Sequence, residues 1–310
     1  MVVLTSARRR RTTVLAPALL SALCVAQAQQ QQAPSPSSAP GIRMGQSKLL
    51  LTGGVSSIDG AAGGGLTPWA VIGSYAERDE IGATAFATRT RTQDYALNVH
   101  GVAVGALNRV EVSLARQEFD AGVVVPDATI KLDIVGLKVR IAGDAVLESD
   151  RWMPQVALGA EFKHLNPGAA VGGLLDAVGA KRDGTDLYVS ATKLLLAQGV
   201  LVNGTLRATK ANQNGLLGFG SADRSGYALK PEVSLAWLLR KDLAIGAEYR
   251  AKPDNLKFAG APYAEDDWKD LFVAWTPGKH VSITAAWVDL GNIVGHARQH
   301  GAYLSLQLGI

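Results

Sequence analysis

The chain has 310 residues, of which 47% are hydrophobic and 19% are charged, with a formal net charge of +4. Four of its 31 basic residues are the consecutive arginines 8–11, so 27 basic residues remain beyond residue 28 against 27 acidic ones. This neutral remainder excludes a nucleic-acid partner recruited by net charge. The single cysteine is Cys24, so the chain beyond it can form neither a disulfide nor a thiolate metal site.

Residues 1–28 have the pattern of a cleaved secretory signal peptide. The arginines precede an apolar run over 14–25, and Ala-Gln-Ala at 26–28 is the small-x-small motif that signal peptidase accepts. About twelve apolar residues are too few to cross a ~30 Å hydrocarbon core as a helix. The segment that follows the signal peptide, 29–47, is rich in Gln, Pro and Ser, and we predict that it is a disordered lead-in. The remaining residues, 48–310, are predicted to form one folded domain.

In the folded domain, apolar residues recur with a period of two. The last ten residues alternate without interruption, and the same alternation marks 109–116 and 200–209. This pattern predicts β-strands with one apolar face. A soluble β-sandwich would turn that face to its core, whereas an outer-membrane barrel would turn it to lipid.

The connectors favour the barrel. Short links such as Leu107-Asn108 alternate along the chain with mostly longer ones such as 120–128 and 211–225. Short turns at one end and long loops at the other are typical of a barrel inserted from the periplasm. The sequence thus predicts an all-β fold, a closed antiparallel transmembrane β-barrel.

About fourteen strands can be counted, an even number as such barrels require. The segments are 48–57, 67–75, 81–90, 94–106, 109–119, 129–142, 151–163, 185–196, 199–210, 226–239, 243–252, 268–276, 280–289 and 301–310. Gly53-Gly54 and the glycines at 63–65 weaken the first two, so twelve strands is the alternative.

Two changes of phase interrupt the alternation. Apolar residues are even-numbered from 130 to 134 but odd-numbered from 137 to 141, and a similar change falls at Gly101. An extra residue at Val135-Gly136 would form a β-bulge, and we interpret the change in this way.

Aromatic residues near the strand ends predict two belts at the membrane interfaces. The residues assigned to the belts are Trp69, Phe119, Phe162, Tyr227, Trp268 and Trp287 on the long-loop side, and Tyr75, Trp152, Trp237 and Trp275 on the short-turn side.

Whole phrases of the chain resemble a known family. They are KLLLTGGVSSIDGAAGGGLTPWAVIG (48–73), DGTDLYVSATKLLL (183–196), NGLLGFG (214–220), AIGAEYRAKPDNL (244–256), EDDW (265–268) and the closing GAYLSLQLGI. These look like the DUF3034 family, a proteobacterial group of secreted, barrel-type proteins without an assigned function. The resemblance implies an outer-membrane β-barrel and carries no chemistry to transfer. One departure is Ile310, because barrel chains usually end in an aromatic residue that the assembly machinery recognises.

Candidate metal ligands are sparse. His296 and His300 flank Arg298 in a glycine-bounded loop, and the carboxylates between 265 and 270 crowd a second loop. Both arrangements suit solvated loops better than a zinc or calcium site. We predict no metal and no cofactor.

A barrel-embedded hydrolase is the third functional hypothesis. Asn98 and His100 share one face of a strand, with Ser113 on the next strand, which is the set of residue types that nucleophilic hydrolysis needs. The chain has no G-x-S-x-G motif, and we predict that the protein is not an enzyme.

Charged residues on the polar strand faces should point to the lumen, because a charge on the lipid face costs roughly 2–4 kcal/mol at the midplane. The predicted lumen-lining residues are Arg109, Glu111, Lys131, Asp133, Lys138, Arg140, Glu161, Lys163, Arg207, Glu232, Glu248 and Arg250. They suit either a narrow polar pore or a lumen plugged by ion pairs. Five basic and three acidic residues on 129–142 and its neighbours predict weak anion selectivity if the barrel conducts.

The leading hypothesis is an outer-membrane barrel of a Gram-negative bacterium that passes or binds a small solute. The alternative is a plugged structural barrel, or a surface-interaction barrel whose loops 164–184 and 253–267 bind a partner. The expected partners are outer-membrane lipid and lipopolysaccharide, the barrel-assembly machinery and an unidentified solute.

Overall fold

The computed structural model describes residues 42–146 and 151–310. The predicted signal peptide and the lead-in up to residue 41 lie outside the described residues. Within the described part of the chain, no helix is long and apolar enough to cross a membrane.

Twelve antiparallel strands close into a barrel, each pairing with the next along the chain and the last pairing with the first. The strand bounds are β1 (Arg43–Met44), β2 (Val55–Ser56), β3 (Ala62–Gly63), β4 (Glu80–Arg91), β5 (Ala96–Ala106), β6 (Val110–Asp120), β7 (Thr129–Ala142), β8 (Gln155–Asn166), β9 (Asp183–Leu195), β10 (Val200–Thr209), β11 (Ala228–Arg240), β12 (Leu243–Arg250), β13 (Trp268–Gly278), β14 (Val281–Asp289) and β15 (His300–Gly309). The wall consists of β4 to β15. Helix α1 (Gly168–Ala177) and three 3-10 turns (Asn212–Gly215, Lys257–Ala259 and Ala261–Tyr263) lie in the long loops.

The outer face of the wall is apolar. Leu158 and Leu306, which a β-sandwich would bury, are 49% and 44% exposed. Large apolar side chains exposed around a closed wall are those of a barrel surrounded by lipid. The barrel prediction is confirmed at the level of fold, and the sandwich is excluded.

The count of fourteen strands is wrong, and the alternative of twelve is confirmed. Most of the two segments predicted as strands at 48–57 and 67–75 lies inside the barrel: every residue from 52 to 76 is buried, whereas Leu49 at the entrance is 60% exposed. A wall strand must alternate between lipid and lumen, which a segment buried on both sides does not do. We call residues 48–76 the plug.

The glycines that weakened the first two predicted strands let the plug pass close to its neighbours. A Cβ at Gly63 would lie 1.9 Å from the Thr67 carbonyl oxygen, and one at Gly64 would lie 2.3 Å from Glu248 Oε1. Only glycine fits where a backbone approaches another group this closely. The plug therefore folds back on itself and against the wall at the same place.

The interpretation of the phase changes as β-bulges is wrong. β7 pairs with β6 in continuous register from Thr129 to Val139, and its even-numbered residues face inward throughout. What changes along β7 is the environment of its two faces. Near the long loops, the inward-facing Leu132 is buried in an apolar cluster, and the outward-facing Lys131 is exposed. β5 likewise pairs in continuous register past Gly101.

A row of polar side chains on the outer face indicates the boundary of the lipid on this side of the barrel. The register places one such residue beside the next across five strands, namely His100, Arg116, Asp133, His164 and Asp183. Arg116 Nε lies 2.5 Å from Asp133 Oδ1, and His164 Nδ1 lies 2.6 Å from Asp183 Oδ1. Water or lipid headgroups can solvate such a row, whereas the hydrocarbon core cannot.

The prediction of two aromatic belts is partly correct. Phe162, Tyr227, Trp237, Trp275 and Trp287 are between 43% and 53% exposed, and Trp152 is 92% exposed. The other four assigned residues, Trp69, Tyr75, Phe119 and Trp268, are buried and face the interior.

Candidate functional site

The plug enters and leaves the barrel at the short-turn end. Ser47 donates two hydrogen bonds to Glu80, from its backbone N at 3.1 Å and its Oγ at 2.6 Å. The Lys48 backbone N donates to the Tyr75 carbonyl at 2.9 Å, and Lys48 Nζ donates to the Ile72 carbonyl at 2.6 Å. The two ends of the plug are therefore adjacent, and the plug is a re-entrant loop.

One ion pair of the wall satisfies the irregular backbone of the plug. Glu111 accepts hydrogen bonds from the backbone N–H groups of Ala62 and Gly73 at 3.0 and 2.6 Å. Lys138 Nζ donates to the carbonyls of Ala62 and Val71 at 2.9 and 3.0 Å and lies 3.1 Å from Glu111. Buried backbone groups need such partners, so this pair fixes the plug against β6 and β7.

The opposite wall also binds the plug. Glu248 accepts hydrogen bonds from the Leu66 backbone N at 2.7 Å and from Thr67 Oγ1 at 2.6 Å. Ser234 Oγ lies 2.5 Å from Thr67 Oγ1 and accepts a hydrogen bond from Trp69 Nε1 at 2.9 Å. The plug is therefore held from β11 and β12 as well.

At the tip of the plug, Asp59 meets three buried cations. Its carboxylate oxygens lie 2.7 Å from Arg250 Nη1, 3.4 Å from Lys163 Nζ and 3.9 Å from Arg207 Nη2. Asn214, from the covering loop, donates to Asp59 at 2.8 Å. Asp59 therefore joins the plug to the wall and to a long loop in one contact.

The wall charges around the tip also pair with one another. Arg207 lies 2.7 Å from Glu161 and 2.5 Å from Glu232, and Lys163 lies 2.9 Å from Asp186. With Arg250, the wall supplies three cations and three carboxylates here, and Asp59 is a fourth carboxylate. The wall network is therefore balanced without the plug.

Nine of the twelve predicted lining residues are buried and face the interior. They are Glu111, Lys138, Arg140, Glu161, Lys163, Arg207, Glu232, Glu248 and Arg250. Their contact with a solute stays a prediction.

The other three predicted lining residues are not in the lumen, and this part of the prediction is wrong. Lys131 and Asp133 lie on the outer face beyond the lipid, and Arg109 is exposed in the turn before β6. Without these three residues, the predicted surplus of positive charge falls from two to one. Arg140, which does face inward, pairs with Asp144 at 2.8 Å.

Sequence reasoning missed Asp59. It is the only charged residue between 49 and 76, in a stretch rich in glycine, alanine and serine. A lone carboxylate in an otherwise uncharged segment is the signal that could have identified it, because an isolated buried charge needs a charged partner.

The structure separates the residues of the hydrolase hypothesis. Asn98 and His100 lie on the outer face of β5, whereas Ser113 is buried on the inner face of β6. Within the described residues, no group of three or more His, Cys, Asp or Glu side chains could hold a metal ion.

A buried carboxylate holds the long loops together over the barrel mouth. Glu265, whose side chain is 1% exposed, accepts from the Gln213 backbone N at 2.9 and 3.0 Å and lies 3.3 Å from Lys252 Nζ. Burial raises the pKa of Glu265 to about 7 from its ordinary 4.5, although the charge of Lys252 opposes that rise. The proton on Glu265 is therefore retained to higher pH in the folded protein than in the unfolded chain.

We expect Glu265 to make stability pH-dependent. A raised pKa in the folded state favours folding most below pH 4.5, and this contribution falls by about 3 kcal/mol as the pH rises to 7. Denaturant unfolding of Glu265→Gln at pH 5, 6, 7 and 8 should show a flatter profile than that of the unmodified protein. Identical profiles for the two proteins would contradict the assignment.

The fold and the filled lumen define a plugged transmembrane β-barrel. The chain belongs to the DUF3034 family, described as a protein of unknown function, whose family model matches residues 52–307. A comparison with curated proteins gives no match.

Solved structures similar to the chain are outer-membrane barrels of low sequence identity. KdgM porin in complex with disordered oligogalacturonate is 8% identical with a TM-score of 0.48, covering 73% of this chain and 98% of that one. NanC porin is 7% identical with a TM-score of 0.46 and coverages of 73% and 97%. Outer membrane phospholipase A from Escherichia coli is 11% identical with a TM-score of 0.40 and coverages of 74% and 92%. No functional assignment follows from likeness at this level.

Proposed function

We propose that the protein is a gated barrel of the Gram-negative outer membrane, closed at rest by the plug and passing or binding a small solute when the plug leaves. The observation that carries this proposal is a lumen filled by residues 52–76 of the same chain, inside a wall whose charged residues at the plug tip pair with one another without the plug. In this proposal the barrel is plugged at rest, and it acts as a pore only while the plug is displaced.

The lining of the wall supports a plug that can be displaced. Beside its charged pairs, the inner face carries hydroxyl and amide side chains such as Ser190, Thr192, Asn203 and Thr205. These groups bond the plug, for example Thr192 Oγ1 with the Ala70 backbone N at 2.7 Å, and water can replace the plug as their partner. With the plug displaced, the lumen would therefore remain lined by groups that water can solvate.

The tip of the plug favours the second candidate, a permanently plugged structural barrel. Ile58 and Leu66 are each 2% exposed and belong to an apolar cluster with Leu132, Phe219 and Trp268. Removing the plug would expose this surface at the long-loop end. The two candidates therefore differ in one measurable property, whether the plug moves.

A disulfide between plug and wall separates the candidates. The Thr67→Cys/Ser234→Cys pair replaces two γ oxygens that lie 2.5 Å apart, in a chain whose only cysteine is Cys24. Under mild urea in a planar bilayer, we expect channel openings that stop when this disulfide forms and return with reductant.

The matched control joins two wall strands. The Thr88→Cys/Ser305→Cys pair replaces γ oxygens 2.7 Å apart on β4 and β15 and removes no hydrogen bond between wall and plug, so its openings should not depend on reductant. Openings that persist in the locked protein would contradict the gated barrel, and complete silence of the unlocked protein would favour the permanent plug.

A further inference from the structure

A groove lies on the outer face of the wall, across β5, β6 and β7, on the membrane side of the row of polar side chains. Val102, Leu114 and Val135 line it and are between 46% and 50% exposed, and His100 and Arg116 lie at its rim. The groove holds about 510 Å³, within the roughly 300–1,000 Å³ that ligand sites have. It is therefore large enough for part of an amphiphile whose polar part lies at the rim.

Two arginines lie beside the rim of this groove. Arg89 and Arg91 are exposed on the same outer face of β4, and the register places Arg89 next to Asn98. Arg89 Nη1 donates to Asn98 Oδ1 at 3.1 Å, and neither arginine forms an ion pair with a described residue. Residues two apart on one strand face are about 7 Å apart, so both guanidinium groups can contact one phosphate group.

The other charged side chains on the outer face of β6 and β7 near the long loops have partners. The ion pairs are Arg116 with Asp133 at 2.5 Å and Lys131 with Glu118 at 3.8 Å. Asp120, at the end of β6, accepts a hydrogen bond from the Gly122 backbone N at 2.9 Å. Arg89 and Arg91 are therefore the cations of this surface that are available to an anion from outside the chain.

We propose that the groove and the two arginines bind a phosphorylated membrane lipid, with an acyl chain in the groove and a phosphate group between Arg89 and Arg91. The long loops of such a barrel face the outer leaflet, where the phosphorylated lipid of a Gram-negative outer membrane is lipid A. Because the surrounding lipid is as apolar as the groove, the phosphate contacts provide the preference and the groove provides the position. The site rests on the outer-membrane location proposed above but not on movement of the plug.

Native mass spectrometry of the full-length barrel, refolded in detergent so that it carries no cellular lipid, tests the proposal. The probes are lipid A and dephosphorylated lipid A. We expect one lipid A per chain and about tenfold weaker binding of the dephosphorylated form, because the charge-assisted hydrogen bonds are lost.

The two arginines are tested with a matched control. Arg89→Gln/Arg91→Gln should weaken binding of lipid A about tenfold and leave binding of the dephosphorylated form unchanged. Lys210→Gln/Lys269→Gln also removes two cations, from the outer face of β10 and β13, and should bind lipid A as the unmodified barrel does. Equal binding of the two probes, or an arginine variant that behaves like the control, would overturn the proposal.

Three further measurements test the groove and separate this site from gating. Val102→Trp fills the groove and should weaken binding of both probes, whereas Val233→Trp on the outer face of β11, where Val233 is 48% exposed, should not. Excess inorganic phosphate should not displace lipid A, and displacement would contradict a lipid site by showing that the arginines bind free phosphate. The barrel locked by the Thr67→Cys/Ser234→Cys disulfide should bind lipid A as the reduced one does, so that a failure of gating and a failure of lipid binding are distinct results.

Discussion

Replacing residues 49–75 with a short Gly-Ser linker should convert a silent barrel into a conducting one. The linker can be short because the Lys48 backbone N and the Tyr75 carbonyl oxygen are only 2.9 Å apart. Twelve strands enclose more space than the eight that side chains alone can fill, so an open lumen remains when the plug is removed. Single-channel recording in a planar bilayer should show stable steps for this variant and none for the unmodified protein without denaturant.

The control for this deletion removes a segment of the long loops. Replacing α1 with a linker of similar length changes the outer mouth but leaves the plug in place, so that variant should remain silent. A plug-deleted barrel that folds, as judged by its heat-modifiable migration in electrophoresis, but stays silent would show that the plug is not the barrier to conduction.

The wall could be predicted from sequence because two solvents impose its pattern. Lipid outside and a polar lumen inside force alternation on each strand, and the segment predicted at 129–142 coincides with β7. The segment predicted at 268–276 begins at the same residue as β13 and ends two residues earlier. Where both environments act on a strand, a period of two is sufficient evidence.

The plug could not be predicted in the same way, because its environment exists only after the wall has closed. The predicted segments 48–57 and 67–75 contain enough apolar residues to resemble strands, yet from residue 52 onward both of their faces are buried inside the barrel. The glycines of this region and its lone carboxylate, Asp59, were the local signs of a different role. The contacts of Asp59 with Lys163, Arg207 and Arg250 span more than 100 residues of sequence, and no local pattern indicates them.

The wrong prediction that Lys131 and Asp133 line the lumen has a different cause. Beyond the lipid, water contacts the outer face of β7, while the inner face packs under the long loops. The rule that polar residues face the lumen therefore reverses along one strand without any change of register. Sequence alone cannot locate this reversal unless the position of the lipid boundary is known.

The second large effect is expected at Arg207, which lies at the centre of the wall network. Its side chain is 2% exposed and lies 2.7 Å from Glu161 and 2.5 Å from Glu232. Arg207→Met leaves Lys163 and Arg250 against four buried carboxylates, and removal of one partner from a buried ion pair costs about 3–5 kcal/mol. Urea unfolding of the barrel in lipid vesicles measures this loss of stability.

The contrast with Asp59→Asn distinguishes a self-sufficient wall from one that needs its plug. This variant removes the fourth carboxylate and leaves three cations facing three wall carboxylates, so we expect a loss of about 2 kcal/mol or less, from weaker hydrogen bonds alone. Adding Glu161→Gln and Glu232→Gln to Arg207→Met should restore part of the lost stability, because the uncompensated charges are removed. If Asp59→Asn instead destabilises the barrel as much as Arg207→Met, the plug is an integral part of the network, and the barrel is a permanently filled one.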